Sequence, residues 1–297
     1  MPRTPAPRPS EPGTLEIVVA RHAGFCFGVQ RAVELVRRAR SERTGPLATL
    51  GPLIHNPQVV AQLEGEGIGV VSSVREASGG SVIIPSHGVG PETHLEAEAA
   101  GIELIDATCP FVYKAQRAAQ ALTAEGYQAI MLGDRGHPEV RAVLGHAGAE
   151  PIVIETPAEA RRLPSTAKAG LLVQTTQTLA RLRETAAVLA GKCQELRIFN
   201  TICGATQQRQ EAAIELARWA EVMLVVGGRN SANTARLREV CRDAGAATYH
   251  IETPDEIQPD WLRARRRVGI TGGASTPQWL IDGTVERVRE IAERKHP

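Results

Sequence analysis

Short apolar runs recur along the chain, each stopped by a glycine, a proline or a small polar residue and followed by a stretch of helical periodicity. Three segments, LEIVVARHAGFCFGVQRAVELV, IELIDATCPFVYKAQRAA and LRIFNTICGATQQRQEAA, place such a run before a cysteine and a helical pattern after it. In the first, Val29, Ala32, Val33 and Val36 follow the i, i+3, i+4, i+7 spacing of an amphipathic helix. Cys26, Cys109 and Cys203 are therefore expected at strand-to-helix junctions. A second motif, in LATLGPLIHNPQVV, AIMLGDRGHPEV and VMLVVGGRNSANTARL, brings His55, His137 and Ser231 to strand ends 28 or 29 residues after each cysteine. A third, in SVIIPSHGVGPETHL, GLLVQTTQTLARL and RVGITGGASTPQWL, does the same for His87, Thr175 and Ser275. Pro57, Pro91, Pro138 and Pro277 are expected in first helical turns.

Strand and helix alternating in this way predict parallel α/β sheets, which bind ligands outside the carboxyl ends of their strands. The repeat predicts three similar α/β domains in a pseudo-threefold arrangement, with the three sets of polar groups facing one centre. Their expected bounds are 15–108, 109–202 and 203–290, with a disordered tail at 1–14 and a short tail at 291–297.

At 297 residues, 34 basic and 33 acidic side chains leave a formal charge of +1, which argues against a polyanion-coating protein. With 3% aromatic residues there is too little stacking surface for single-strand nucleic acid binding. No apolar run is long enough to span a bilayer, and residues 1–13 have no signal-peptide core. Five cysteines, without a CxxC pair, are expected to be free thiols in a cytoplasmic protein.

Three convergent thiolates suit a metal centre with one open position. Zinc with a fourth ligand is one option, and a 4Fe-4S cubane with three of its irons held by protein is another. Spacing does not choose between them. Cys193, near the end of a helix-like stretch, and Cys241, within a helix, fall outside the repeat and are expected to pack as small apolar groups. His94, His146 and His250 also fall outside it, and His22 stays ambiguous. The donors His55, Asn56, His87, His137, Ser231, Asn233 and Ser275 at helix starts suit an anion, a diphosphate in particular. Gly65, Gly67 and Gly69 lack the dinucleotide-binding context, and Gly273-Ala274-Ser275 lacks the glycine a nucleophile elbow needs. The basic run Arg263 to Arg267 reads as a solvated face on which an acidic redox partner could dock.

The ordered series GFCFGVQRA, LIHNPQVV, SHGV, DATCP, GHPEV, QTT, TICGATQQRQ, NSAN and GAST, spanning about Leu15 to Leu280, resembles the 4-hydroxy-3-methylbut-2-enyl diphosphate reductase family. That family closes the methylerythritol phosphate route to isoprenoids. The resemblance implies a trefoil of three α/β domains around a central 4Fe-4S cluster with one iron not ligated by protein. It implies Cys26, Cys109 and Cys203 as cluster ligands and His55, His87, His137, Ser231, Asn233 and Ser275 as the diphosphate site. It gives Glu139 the role of proton source, with Thr175 orienting Glu139 and the substrate hydroxyl. The reaction implied is a two-electron removal of the allylic hydroxyl, yielding isopentenyl and dimethylallyl diphosphate. Its electrons would come from an external donor such as ferredoxin or flavodoxin. Where family members often read NSSN, this chain has Ala232. A non-redox phospholigand-binding or zinc protein on the same scaffold is the alternative. Asp134, in the same loop as Glu139, is the rival proton source.

Overall fold

The computed structural model describes residues 15–294 except 78 and 149. The expected tail at 1–14 lies outside the described residues. The chain opens with strand β1 (Glu16–Val19) and helix α1 (Phe27–Glu42), then runs β2 (Leu47–Leu50), α2 (Pro57–Gly65), β3 (Gly69–Val71), β4 (Ser81–Ile84), α3 (Pro91–Ala100) and β5 (Glu103–Asp106). It continues through α4 (Pro110–Ala124), β6 (Gln128–Leu132), α5 (Pro138–Leu144), β7 (Ile152–Ile154), α6 (Pro157–Arg162), β8 (Thr166–Val173), α7 (Leu179–Ala190) and β9 (Cys193–Ile198). It closes with α8 (Gly204–Trp219), β10 (Val222–Val226), α9 (Ala232–Asp243), β11 (Ala247–Ile251), β12 (Arg267–Gly272) and α10 (Gln278–Glu293).

Three four-stranded, wholly parallel sheets result, in the orders β3-β2-β4-β5, β7-β6-β8-β9 and β11-β10-β12-β1. The three orders are equivalent, so the α/β repeat expected from the sequence is present. Strand β10 is buried throughout and reads as an unbroken apolar run, as a sheet covered on both faces requires. Helix α1 buries Val29, Ala32, Val33, Val36 and Ala39 against Leu47, Ile54, Val59, Leu63 and Ile83 of the first sheet and its helix. Helices α4 and α8 repeat this on the second and third sheets.

One assignment changes. Strand β1, expected in the first unit, pairs instead with β12 of the third sheet, Glu16 opposite Arg267 and Val19 opposite Ile270. The reason lies in the connectivity. Strands β5 and β9, which lead to Cys109 and Cys203, complete the sheet that precedes the cysteine. Strand β1 leads to Cys26 and fills the same place in the last sheet, closing a ring of three. Smaller corrections follow. Helix α10 continues to Glu293, so the bound expected at 290 falls inside it. Pro277 caps α10 from outside the first turn, and Cys193 opens a strand where a helix end was expected.

Candidate active site

Every cysteine of the repeat is the N-cap of the helix that follows it: Cys26 of α1, Cys109 of α4 and Cys203 of α8. Each is pinned by an equivalent backbone bond. Cys109 N–H donates to the Ser86 carbonyl at 2.9 Å, Cys203 N–H to Thr175 at 3.0 Å and Cys26 N–H to Ala274 at 3.0 Å. Those acceptors lie in the loops after β4, β8 and β12, so each thiol is fixed to the loop that carries His87, Thr175 or Ser275. The Cys26 thiol also caps weakly, accepting from Val29 N–H at 3.4 Å. A Cβ at Gly28 would lie 2.6 Å from Cys109 Sγ and 3.9 Å from Cys26 Sγ, so glycine is what lets α1 begin against two thiols.

All five cysteines are free. Cys26, Cys109 and Cys203 line one cavity with His55, His87, His137, Glu139, Thr175, Ser231, Asn233 and Ser275. The expected ligand, diphosphate and proton-transfer residues are thus brought together, at strand ends from all three sheets, whereas Asn56 does not line the cavity and caps α2 by accepting from Val59 N–H at 3.1 Å. Burial pushes the Cys109 thiol up to about 11, backbone N–H groups oppose this, and charge on Cys26 or Cys203 adds to it. Burial likewise raises the Cys203 thiol. Among the described residues, no three His, Cys, Asp or Glu side chains converge closely enough to hold a single metal ion. The three thiols reach this cavity from three different helix N-termini.

The histidines form a cluster. His55 stacks on His87 with centroids 5.2 Å apart and meets His137 edge-on at 4.8 Å. Desolvation, then the other two rings and Arg141, push His87 down to about 3; desolvation, then His55 and Arg141, do the same to His137. Burial also lowers His55. All three rings are neutral near pH 7. His137 Nδ1 accepts from Glu139 N–H at 3.1 Å, which leaves its ring proton on Nε2. That Nε2, together with His55 Nε2, His87 Nδ1 and both side-chain polar atoms of Asn233, is buried without a partner. Ser231 caps α9 by accepting from Thr234 N–H at 3.3 Å, and Ser275 Oγ donates to the His55 carbonyl at 3.0 Å. Buried polar atoms left open in this way cost free energy unless a ligand pairs with them, and His137 Nε2–H and the Asn233 amide are the donors among them.

Glu139, on the first turn of α5, is buried and held by one residue. Its Oε1 accepts from Thr175 N–H and its Oε2 from Thr175 Oγ–H, both at 2.7 Å. Burial raises its carboxyl above the ordinary range; the Thr175 bonds work against this, and the Asp134 charge adds to it. Asp134 itself is tied to Arg236 and does not line the cavity. The residues set aside stay aside. Cys241 is buried in the third core, His146 contacts Gln120 and Val89, and His250 Nε2 contacts the Gly227 carbonyl. The run Arg263 to Arg267 is exposed and remote from the cavity lining. Sequence reasoning missed Arg209, buried on α8 and bonded to the Gly24 and Ala205 carbonyls, two residues from Cys26 and Cys203. The signal was its spacing: Thr206, Arg209, Gln210 and Ala213 share the buried face of α8.

Residues 17–289 match the sequence model of a family described as LytB protein. The chain is 46% identical over 281 residues to a 4-hydroxy-3-methylbut-2-enyl diphosphate reductase of Geobacter metallireducens, covering 95% of this chain and 99% of that one. A relative of the same description from Aquifex aeolicus is 42% identical over 282 residues, covering 94% and 98%. Among solved structures, a (E)-4-hydroxy-3-methyl-but-2-enyl diphosphate reductase superposes with a TM-score of 0.65 at 41% identity, over 93% of this chain and 100% of the other. The Plasmodium falciparum E-1-hydroxy-2-methyl-but-2-enyl-4-diphosphate reductase gives a TM-score of 0.88 at 25% identity, over 92% and 87%.

Proposed function

The chain belongs to the LytB family, and from that premise we propose that it reductively dehydroxylates 4-hydroxy-3-methylbut-2-enyl diphosphate to isopentenyl and dimethylallyl diphosphate. It is an iron-sulfur oxidoreductase of isoprenoid synthesis. One observation carries the reading of its site: three free thiols, a buried carboxyl and a set of unpartnered neutral polar groups share a single cavity. The donor set fits the group. Thiolates at the N-termini of α1, α4 and α8 gain from the helix dipoles, and three soft sulfur donors lining one cavity suit an iron-sulfur cluster. Cys26, Cys109 and Cys203 would hold a 4Fe-4S cluster, leaving one iron without a protein ligand. When bound, that cluster supplies single electrons and a Lewis-acidic iron for the substrate oxygen.

The remaining work belongs to side chains. His55, His87, His137, Ser231, Asn233 and Ser275 bind the diphosphate by hydrogen bonds; negative charge brought among the histidines also favours their protonation. Glu139, its carboxyl raised by burial, gives a proton to the departing hydroxyl. Thr175 fixes both carboxyl oxygens and so the direction in which that proton is offered. Electrons enter from an external one-electron donor such as ferredoxin or flavodoxin, in the cytoplasm. No helix among the described residues is long and apolar enough to cross a membrane.

The test is anaerobic purification followed by iron, sulfide and absorption measurements. Four irons per chain are expected, lost on replacing Cys26, Cys109 or Cys203 by Ser and kept in Cys193→Ser. Stoichiometric zinc in place of iron would overturn the reading in favour of a non-redox protein.

A further inference from the structure

Two arginines are buried in the described structure, and they differ in company. Arg236 pairs with Asp134 and Glu239. Arg209 meets no carboxylate: one terminal nitrogen donates to the Gly24 carbonyl at 2.7 Å, the other to the Ala205 carbonyl at 3.2 Å, and its Nε has no partner. A guanidinium does not shed its proton in a protein, so a full positive charge sits in the interior. Such a charge is expensive unless an opposite one lies near. Its two anchors place it at the cysteines: Gly24 lies two residues before Cys26 and Ala205 two residues after Cys203, and negative charge on those sulfurs, once they give up their protons to a bound centre, opposes the desolvation that burial imposes on the guanidinium. The hydrogen bonds to two carbonyls account for a donor at this position but not for a cation.

We infer that Arg209 is a positioning residue for the electron chemistry: a fixed positive charge, anchored by the Gly24 and Ala205 carbonyls, that makes the thiolate-bound centre easier to reduce. The inference rests on the iron-sulfur reading above. Each reduction moves one electron from the donor protein to the centre and adds one unit of negative charge there. No bond of Arg209 breaks and its proton stays in place. In a low-dielectric interior a nearby cation stabilises the more negative state, and the potential of an iron-sulfur centre responds to such charge and hydrogen bonding.

The experiment compares anaerobically purified wild type, Arg209→Lys and Arg209→Gln by redox titration followed by electron paramagnetic resonance, with iron and sulfide counted in each. Gln keeps a polar side chain on the same stem but carries no charge and ends short of the terminal nitrogens; Lys carries the charge with fewer bonds. Arg209→Gln should disfavour one-electron reduction at least tenfold, a shift of about 59 mV to more negative potential for a one-electron couple, while Arg209→Lys stays near wild type. Equal potentials in wild type and Arg209→Gln, or equal shifts in both variants, would overturn the inference and leave Arg209 a brace. If Arg209→Gln folds but loses its iron, retention by Arg209→Lys supports the charge, and loss by both refutes it. A wild type without iron and sulfide would instead bring down the reading of the site itself.

Discussion

Glu139→Gln separates shape from acidity at the proposed proton source. The wild-type carboxylate accepts from Thr175 N–H and from Thr175 Oγ–H at 2.7 Å each. A glutamine can keep its oxygen on the backbone N–H and turn its amide toward Oγ, which then accepts in place of donating. Both contacts survive, and the transferable proton does not. General acid catalysis contributes about 10²–10⁴-fold. At about 1.36 kcal/mol per decade, the substitution should add roughly 2.7–5.4 kcal/mol to the barrier. Turnover measured anaerobically with a chemical one-electron reductant should fall by that factor at unchanged iron content and substrate affinity. The pH profile adds a second reading. Because burial raises the Glu139 carboxyl, its acid form persists above the ordinary carboxylate range and is lost as pH climbs through the raised value. Wild-type turnover should fall on that alkaline limb, and the limb should be absent in Glu139→Gln. Turnover within a few-fold of wild type, with an inactive Asp134→Asn, would refute the assignment and move it to Asp134.

Gly28→Ala should lower the iron content of the purified protein, because the new Cβ would stand 2.6 Å from Cys109 Sγ; unchanged iron would show that the thiol has room to move. Acid should weaken the apo fold in a defined window. His87 and His137 drop to about 3 on folding from an ordinary 6.5, so the unfolded chain takes up protons that the native one refuses. Their contribution is fully present above pH 6.5 and is lost as pH falls toward 3, by up to about 1.4 kcal/mol per pH unit for each ring. Glu139, raised on folding, opposes this with at most one proton. Urea midpoints should therefore fall between pH 7 and 5, and a flat profile there would contradict neutral buried imidazoles.

The site was far more legible than the connectivity, for a physical reason. A strand end, a cysteine and a helix start are local, so the phase of Cys26, His55 and His87 could be read and matched to its two copies. The sheet that a strand joins is not local. The run LEIVV has the composition of any buried strand, and its partner lies at the far end of the chain, so nothing near it announces β12. Arg209 was hidden differently. In TICGATQQRQ it sits among residues that ordinarily face water, and only the turn of α8 puts it on the same side as Thr206 and Ala213. Asp134 and Glu139 were neighbours in one loop, and only side-chain partners, Arg236 for one and Thr175 for the other, tell them apart.

The closure of the ring by β1 bears on how the protein is made. Glu16 leaves the ribosome about 250 residues before Arg267, its partner across the sheet. At roughly 5–20 residues per second, the apolar strand Glu16–Val19 waits about 10–50 s with its edge unpaired while two complete sheets form downstream. An unpaired apolar edge is a template for association with other chains. Nascent chains stalled before β12 should therefore be the species that chaperones hold, and the third sheet should be the last part of the protein to become resistant to protease during translation.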